Sequence, residues 1–517
     1  MAHDDWIRST CNWLRSANEE DSSPEATLAR VAHAPPAELE ALLEVLAADF
    51  HALAQQSGRV KLLMQAVAAR MVQLTADAQF TREGIFINAE CLARLYDQLV
   101  EVDAAAASHV LQILASQGDE ESLSSLASLI AETPPEDWQS VGLALSPLWN
   151  AEPEALEQFF DCLDAGFVHP ATMAVLLDLA NFAVRSGKLS EHPWAARSSE
   201  LGNLLAAVTA QLEKLEQDPA QFGSQIEEIQ RTLNDSVALV ISLCDSLGLI
   251  ANAEAIPTLT HTMQLSHRRI QTEAAGALAR LGDESGQQRL VELAADPVAR
   301  RRAVAYAEEL EFAEQIEEPL RLPHALAESE LASWLAEPPQ YGIPPTGLEL
   351  IDTRTQYWPG YEEPRDCYLF HYWYEFPGGR VSNVGIAGPV THAFQSDLAN
   401  LPVDDIYAAF AGWHAEHEEI YEVPMALLNP AQRREADLLE RKLDQLEMSS
   451  IVPLALTFFL GEIALLAQVE REGIQSCAIA DNQEWISFPT SESSNAITPE
   501  IVLSIFRGRK LLRTFNH

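Results

Sequence analysis

Shifting the chain by thirty-three positions lays its apolar residues on one another. Leu123, Leu126, Leu129 and Ile130 fall on Leu156, Phe159, Cys162 and Leu163, Leu143 falls on Leu176, and Trp149 on Phe182. The turns correspond too, T-P-P-E-D-W against F-V-H-P-A. Such self-similarity marks stacked supersecondary units, each too small to bury its own apolar face. From about residue 25 to 335, apolar residues recur at helical spacing, as in A-E-L-E-A-L-L-E-V-L-A (37–47), and strand-like alternation is scarce. The spacing predicts antiparallel helix pairs in a row, an α-solenoid. Residues 187–250 depart from the simple period and predict a kink or an inserted hairpin.

The clearest units lie at 253–312. Ile256-Pro257 opens a helix, Ala274-Ala275-x-Ala277-Leu278 runs into Leu281-Gly282-Asp283-Glu284, and Asp296-Pro297 is followed by Arg300 and Ala303. Alanines let helices approach closely, Gly282 suits a left-handed helix end, and Pro297 suits a helix start. These residues resemble the short bacterial HEAT-like repeats, the type also found in phycobilin lyases. The resemblance implies a helical solenoid whose members are mostly protein binders, and it leaves a lyase-like, cofactor-holding chaperone as a further alternative. The expected organisation is an N-terminal helical region at 1–110, HEAT-like repeats at 111–335 and an α+β domain at 336–517.

That last domain announces itself by a change of texture after Glu337. Aromatics become dense and alternate in C-Y-L-F-H-Y-W-Y-E-F (367–376), followed by P-G-G and R-V-S-N-V-G-I-A, a β-hairpin pattern. Tyr368, Phe370, Tyr372, Tyr374 and Phe376 share one face, Leu369, His371 and Trp373 the other. Further strands are expected at 476–480 and 485–489, and helices at about 404–421, 430–448, 453–472 and 499–506. The run I-V-P-L-A-L-T-F-F-L-G-E-I-A-L-L-A-Q-V (451–469) could tempt a membrane assignment, but Glu462 in its middle and the lack of flanking cations point to a buried core helix with Pro453 in its first turn.

Charge narrows the partners. The 517 residues carry a formal net charge of −44, and lysine occurs only at positions 61, 188, 214, 442 and 510. Such a surface repels nucleic-acid phosphates and anionic membranes, so protein partners are expected, with no nucleic acid and no membrane. Six widely spaced cysteines without a C-x-x-C fit reduced thiols in the cytoplasm. The start M-A-H-D-D-W-I-R has no basic stretch followed by an apolar run, so no secretory signal is expected.

Candidate sites are few. In D-D-I-Y-A-A-F-A-G-W-H-A-E-H-E-E-I-Y-E (404–422), Ile406, Phe410, Trp413, His417 and Ile420 form the apolar stripe of an amphipathic helix with a solvated acidic face. His414 stands on the neighbouring row. The H-E-x-x-H spacing of zinc proteases is absent. A metal site built from His392, His414, His417 and Glu418, with Glu462 in reserve, is the alternative, and with it a metal-assisted enzyme. The glycine-containing loop at 382–394 matches no phosphate-binding pattern and is expected to be a strand, a tight turn and then a helix start. His267-Arg268-Arg269 and Arg300-Arg301-Arg302 occupy equivalent places in successive repeats, so stacking would set Arg268, Arg269, Arg300 and Arg301 side by side as a cationic ridge for an acidic partner. Otherwise Arg300 closes a structural ladder. The basic tail 507–513 is expected to fold back on the chain's own negative surface. No catalytic motif emerges and no cofactor is expected, so a protein-interaction scaffold is the leading expectation.

Overall fold

The computed structural model describes residues 2–15, 24–53, 57–76, 87–163, 169–217, 226–337, 339–415, 421–459, 461–490 and 496–516. The chain divides into two compact units, Met1–Leu290 and Val291–His517.

Apart from single turns, the first unit is built of helices α1 (Ala2–Arg15), α2 (Pro24–Ala32), α3 (Pro36–Ala48), α4 (Ser57–Ala76), α5 (Ala89–Val100), α6 (Ala104–Gln117), α7 (Glu120–Glu132), α8 (Trp138–Leu145), α9 (Pro153–Cys162), α10 (Pro170–Arg185), α11 (Ser198–Gln217), α12 (Ile226–Ile250), α13 (Ile256–Thr262), α14 (Arg268–Arg280) and the start of α15 (Glu284–Leu293). Their boundaries follow from local chemistry. Asp103, Asp119 and Asp137 accept hydrogen bonds from the first free amides of α6, α7 and α8, and prolines open α3, α9, α10 and α13. Several of the chain's carboxylates are therefore helix caps as well as surface charge.

Two rows result. In the first, α3 packs on α5, α5 on α7 and α7 on α9, and further along α11 packs on α13. In the second, α4, α6, α8, α10, α12 and α14 pack each on the next. Residues one period apart meet: the Trp149 and Phe182 rings lie 5.1 Å apart, and Leu123, Leu126, Leu156 and Phe159 are all buried. Residues 218–225, within the irregular stretch, lie outside the described residues. The alternation of rows continues through the longer helices α11 and α12 at a wider spacing than thirty-three, and the segment before α11 tucks His192 and Trp194 into the stack, Trp194 edge-on to Phe160 at 5.5 Å. Small residues set the closest approaches. A Cβ on Gly286 would come within 2.5 Å of the Ala275 carbonyl, and one on Gly248 within 3.0 Å of the Ala277 backbone. Gly282 ends its helix at φ +81°. The window Ile229–Ile250 is long and apolar enough to cross a membrane, yet 56% of it is buried within the protein, where α12 packs against both α10 and α14.

In the second unit α16 (Pro297–Glu309) packs on α17 (Pro323–Leu335). A four-stranded antiparallel meander follows: β1 (Gly347–Gln356), β2 (Arg365–Phe376), β3 (Gly379–Ala387) and β4 (His392–Ala393). Next come α18 (Val403–His414), β5 (Tyr421–Pro424) and α19 (Pro430–Gln445). The strands β6 (Ser449–Phe459), β7 (Glu462–Arg471), β8 (Ile474–Ala480) and β9 (Trp485–Pro489) join β5 in a five-stranded sheet, and α20 (Pro499–Phe515) closes the chain.

Alternation along the strands sorts side chains into layers. Tyr368, Phe370, Tyr372 and Tyr374 pack with Leu331 and Leu335 of α17. Cys367 and Leu369, from the opposite face of β2, share a core with α18, α20 and the Ala464, Leu466, Cys477 and Ile479 face of the second sheet. The other face of that sheet, with Leu465, Ala467 and Ala478, covers α19. The order is helix, sheet, helix pair, sheet, helix.

The hairpin at β2–β3 and the strands near 476 and 485 lie where the sequence pattern puts them. Two helix expectations do not hold. Residues 451–469 form the hairpin β6–β7, turned at Gly461 with φ +76°. Their strands have helices on both faces, so they lack alternation, and Pro453 sits where the β6 register shifts. After Gly388 the chain forms the short strand β4 rather than a helix start. Within α18, residues Asp405–Gly412 are all buried, Asp404 is exposed, and Glu416, Glu418 and Glu419 of the expected acidic face lie outside the described residues.

The second unit is also internally duplicated. Helix, four-strand meander and helix occur twice, as α17–β1–β2–β3–β4–α18 and α19–β6–β7–β8–β9–α20. Both middle hairpins have two-residue loops, both following loops have four residues, and both final connections have nine. The last helices echo one another at an offset of 96: Asp404 and Glu500, Ile406 and Val502, Ala408 and Ser504, Phe410 and Phe506, Gly412 and Gly508. Their contact is reciprocal, as in a two-fold interface. A Cβ on Gly412 would lie 1.9 Å from the Ser504 carbonyl oxygen, and one on Gly508 1.8 Å from that of Ala408.

Backbone carbonyls cannot yield as side chains do, so Gly508→Ala is expected to destabilise the second unit by about 3 kcal/mol or more. Gly378→Ala, with open space around it, should change stability by no more than about 0.5 kcal/mol. Denaturant titration of the two variants, read through the second unit, checks this; equal stability would show that the helices do not cross through these glycines.

Candidate functional site

Across the second row of the first unit runs a polar seam. Asp178, Asn181 and Arg185 stand on α10 at helical spacing and meet Ser242, Asp245 and Ser246 of α12. The Ser242 hydroxyl lies 2.7 Å from the Asp178 carboxylate, Asn181 Nδ2 donates to the Ser242 carbonyl at 3.2 Å, and Ser246 donates to Asn181 Oδ1 at 2.9 Å. Arg185 grips Asp245 through Nε, at 3.2 Å, and Nη2. One helix earlier, Trp138 Nε1 donates to Asp235 at 2.6 Å. Asp178 reaches solvent, yet the surrounding helices crowd it. That desolvation, reinforced by Asp245 and Glu273 and opposed by Ser242 and Arg269, pushes its carboxyl up to about 6.

His192 closes the seam from behind. The Trp194 amide donates to its Nδ1 at 3.3 Å, so the proton resides on Nε2, which faces Asn181 Oδ1 at 3.0 Å. Burial holds its pKa down to about 4. The ring is neutral with both nitrogens occupied, and Asn181 stands between it and Ser246. The cluster therefore fastens one repeat to the next and has no nucleophile–base pair.

The four arginines chosen from the sequence divide between the units. Arg268 and Arg269 are exposed at the start of α14 in the first. Arg268 donates to Gln271 at 3.0 Å, and the charge of Arg269 acts on Asp178. Arg300 and Arg301 belong to the second. Arg300 is 5% exposed, and its guanidinium is held by the carbonyls of Ala294 and Ala325 at 3.0 and 3.1 Å and by Glu328. It closes a structural contact. Arg301 is exposed and lies 3.4 Å from Glu330.

The histidines of the second unit sit among aromatic rings. His392 stacks on Trp413 at 3.8 Å and meets Phe394 edge-on at 4.8 Å, and burial lowers its pKa to about 4. His414 lies 6.4 Å from the Tyr361 ring and 6.5 Å from that of Trp358. His417 and Glu418 lie outside the described residues. Among the described residues, no group of three His, Cys, Asp or Glu side chains is placed to hold a metal ion. The glycine loop is a tight turn: a Cβ on Gly388 would lie 2.2 Å from the Asp366 carbonyl oxygen. The tail lies along the unit's acids, Arg507 on Glu422, Arg509 on Asp405, Lys510 on Asp481 and Arg513 on Glu484.

Two features escaped the sequence. One is the seam, whose trace is polar residues three and four apart inside otherwise apolar helices. The other is an open cleft of about 650 Å³ on the first sheet, lined by Glu349, Leu350, Ile351, His371, Ser382 and Asp397.

The description of HEAT repeats matches residues 229–310. No curated protein matches the chain. A crystal structure of an engineered protein is similar at 14% identity, covering 63% of this chain and 97% of that one, with a TM-score of 0.21; so low a score says nothing about shared architecture.

His192 is an imidazole whose folded-state pKa lies below its usual 6.5. Its contribution to stability is complete above pH 6.5 and is lost as pH falls toward 4, on the order of 3 kcal/mol in all. His192→Gln should flatten the fall of the first unit's unfolding free energy between pH 7 and 4, measured by denaturant titration; an unchanged slope would place the ring in solvent.

Proposed function

We propose that this HEAT-like repeat protein is an interaction scaffold whose first unit seats a protein partner along the second helical row. The observation that carries this is the seam. In a row otherwise closed by apolar packing, Asp178, the Arg185–Asp245 pair and Arg269 bring charge to the surface across three successive helices, α10, α12 and α14. A partner lying across them gains from each repeat in turn, which is how stacked repeats assemble an extended surface. Arg268 and Arg269 supply the positive end of that surface and Asp178 the negative end. The partner is therefore a protein carrying both signs of charge, its acidic groups opposite the arginines. The net charge of −44 disfavours nucleic acid and anionic membrane. A reducing, cytoplasmic setting suits the free cysteines, most of them buried. A metal-assisted enzyme draws no support from His392, whose ring is enclosed by aromatic side chains.

The test is affinity capture from expressing cells with the full chain and with Arg268→Glu plus Arg269→Glu. Both side chains are exposed, so the unfolding midpoint should hold while recovery of the partner falls at least tenfold. Undiminished recovery by the variant would overturn this placement of the partner.

A further inference from the structure

The two halves of the second unit differ at one edge. In the second half the outer edge of β6 is occupied: β5 pairs along it, Tyr421 with Phe458, Glu422 with Thr457, Val423 with Leu456 and Pro424 with Ala455. Arg507, on the closing helix, holds that strand through Glu422 at 3.1 Å while also donating to Thr457 at 3.0 Å. Beneath it Leu456 and Thr457 are buried. In the first half the equivalent strand is β1, and among the described residues nothing pairs with its outer edge.

The equivalence of β1 and β6 can be fixed in two ways that agree. β1 carries one bulge, at Ile351, and β6 two, the second at Leu454; both strands end at a hairpin, at Gln356 and at Phe459, and the Ile351–Leu454 match agrees with that of the strand ends. Each comparison gives an offset of 103. The stretch covered by β5, Ala455–Phe458, therefore corresponds to residues 352–355. There Thr353 and Thr355 are exposed, and no residue of β1 is buried. Among the described residues the first half does not provide its own covering strand. β5 ends six residues before α19 begins, and the segment ending six residues before α17 contains a single 3-10 turn, Ala313–Gln315.

We infer that the outer edge of β1 is a docking site for an extended, basic segment of another protein, which adds to the first sheet as a fifth strand, as β5 adds to the second. Main-chain pairing gives such a segment its affinity, and the flanking side chains select it. Leu350 and Ile351, 39% and 43% exposed, offer an apolar step beside the edge. Glu349 and Asp397 line the adjoining cleft and have no cation partner among the described ion pairs. Asp352 and Asp404 lie close by and share the single charge of Arg354. The local balance is negative, which selects lysine or arginine on the incoming strand. A second copy of this chain is disfavoured by its net charge of −44. Proline, which stands at position 453 of β6, is absent from β1, so the edge is open to a strand longer than the four residues of β5.

The probe is a blocked heptapeptide alternating lysine and valine, added to the full chain. Its controls are a glutamate–valine counterpart and a version with alternate amides N-methylated. Binding is followed by fluorescence anisotropy and by amide hydrogen exchange. The lysine–valine peptide should bind at least tenfold more tightly than either control and slow exchange within residues 348–356. Leu350→Lys with Thr353→Lys, both exposed and neither altering the backbone, should weaken it at least tenfold without moving the unfolding midpoint. Three results would overturn the inference. They are equal binding of the N-methylated peptide, which means adhesion by charge alone, slowed exchange away from β1, and protection of β1 in the free chain that grows with its concentration, which means self-association.

Discussion

The first unit depends on one constraint: no helix pair in it closes a core of its own. Leu123 and Leu126 of α7 and Leu156 and Phe159 of α9 are buried where those two helices pack, and α12 is covered because α10 and α14 flank it. Burial of this kind is paid to the neighbour, so each pair is stable only within the row. The same dependence leaves a long surface. Helices that spend their apolar faces on neighbours along the row have outer faces to spare, and the polar seam from Asp178 to Arg269 lies on such a face.

The second unit solves burial differently. Two sheets each have a helix on one side and share a helix pair on the other. That shared layer is thin because Ala408, Gly412, Ser504 and Gly508 let α18 and α20 touch backbone to backbone. Duplication explains the reciprocity, since the same helix meets itself across a pseudo-two-fold relation. It also explains why Arg507 has a structural task with no counterpart in the first half: its equivalent is Ala411, and among the described residues there is no covering strand there to hold.

Much of this was legible in the sequence where one physical event recurs. The thirty-three-residue shift is visible because the same contact is made again in each unit, and the 367–387 hairpin is visible because its strands alternate between two environments. Residues 451–469 misled because β6 and β7 are enclosed on both faces; a strand without alternation and a buried helix present the same apolar run. Thr457, Phe458 and Phe459 before Gly461 were the available cue. In α18 Ile406 and Phe410 of the expected stripe are buried, but the small residues opposite them, Ala408 and Gly412, are themselves a buried contact. The seam was out of reach because it joins Asp178 to Ser242 and Arg185 to Asp245, pairs sixty and more residues apart whose apposition exists only once the repeats stack. The duplication was hidden because its two copies share little beyond five positions of one helix.

Site-specific photo-crosslinking in expressing cells tests the scaffold most directly. A photoreactive residue at Asn234 or Ala238, on the open side of α12, should form an adduct with a second protein, whereas one at the exposed Glu157 of the first row should not. Adducts at Glu157 with none at Asn234 or Ala238 would contradict the proposal that the second row carries the partner.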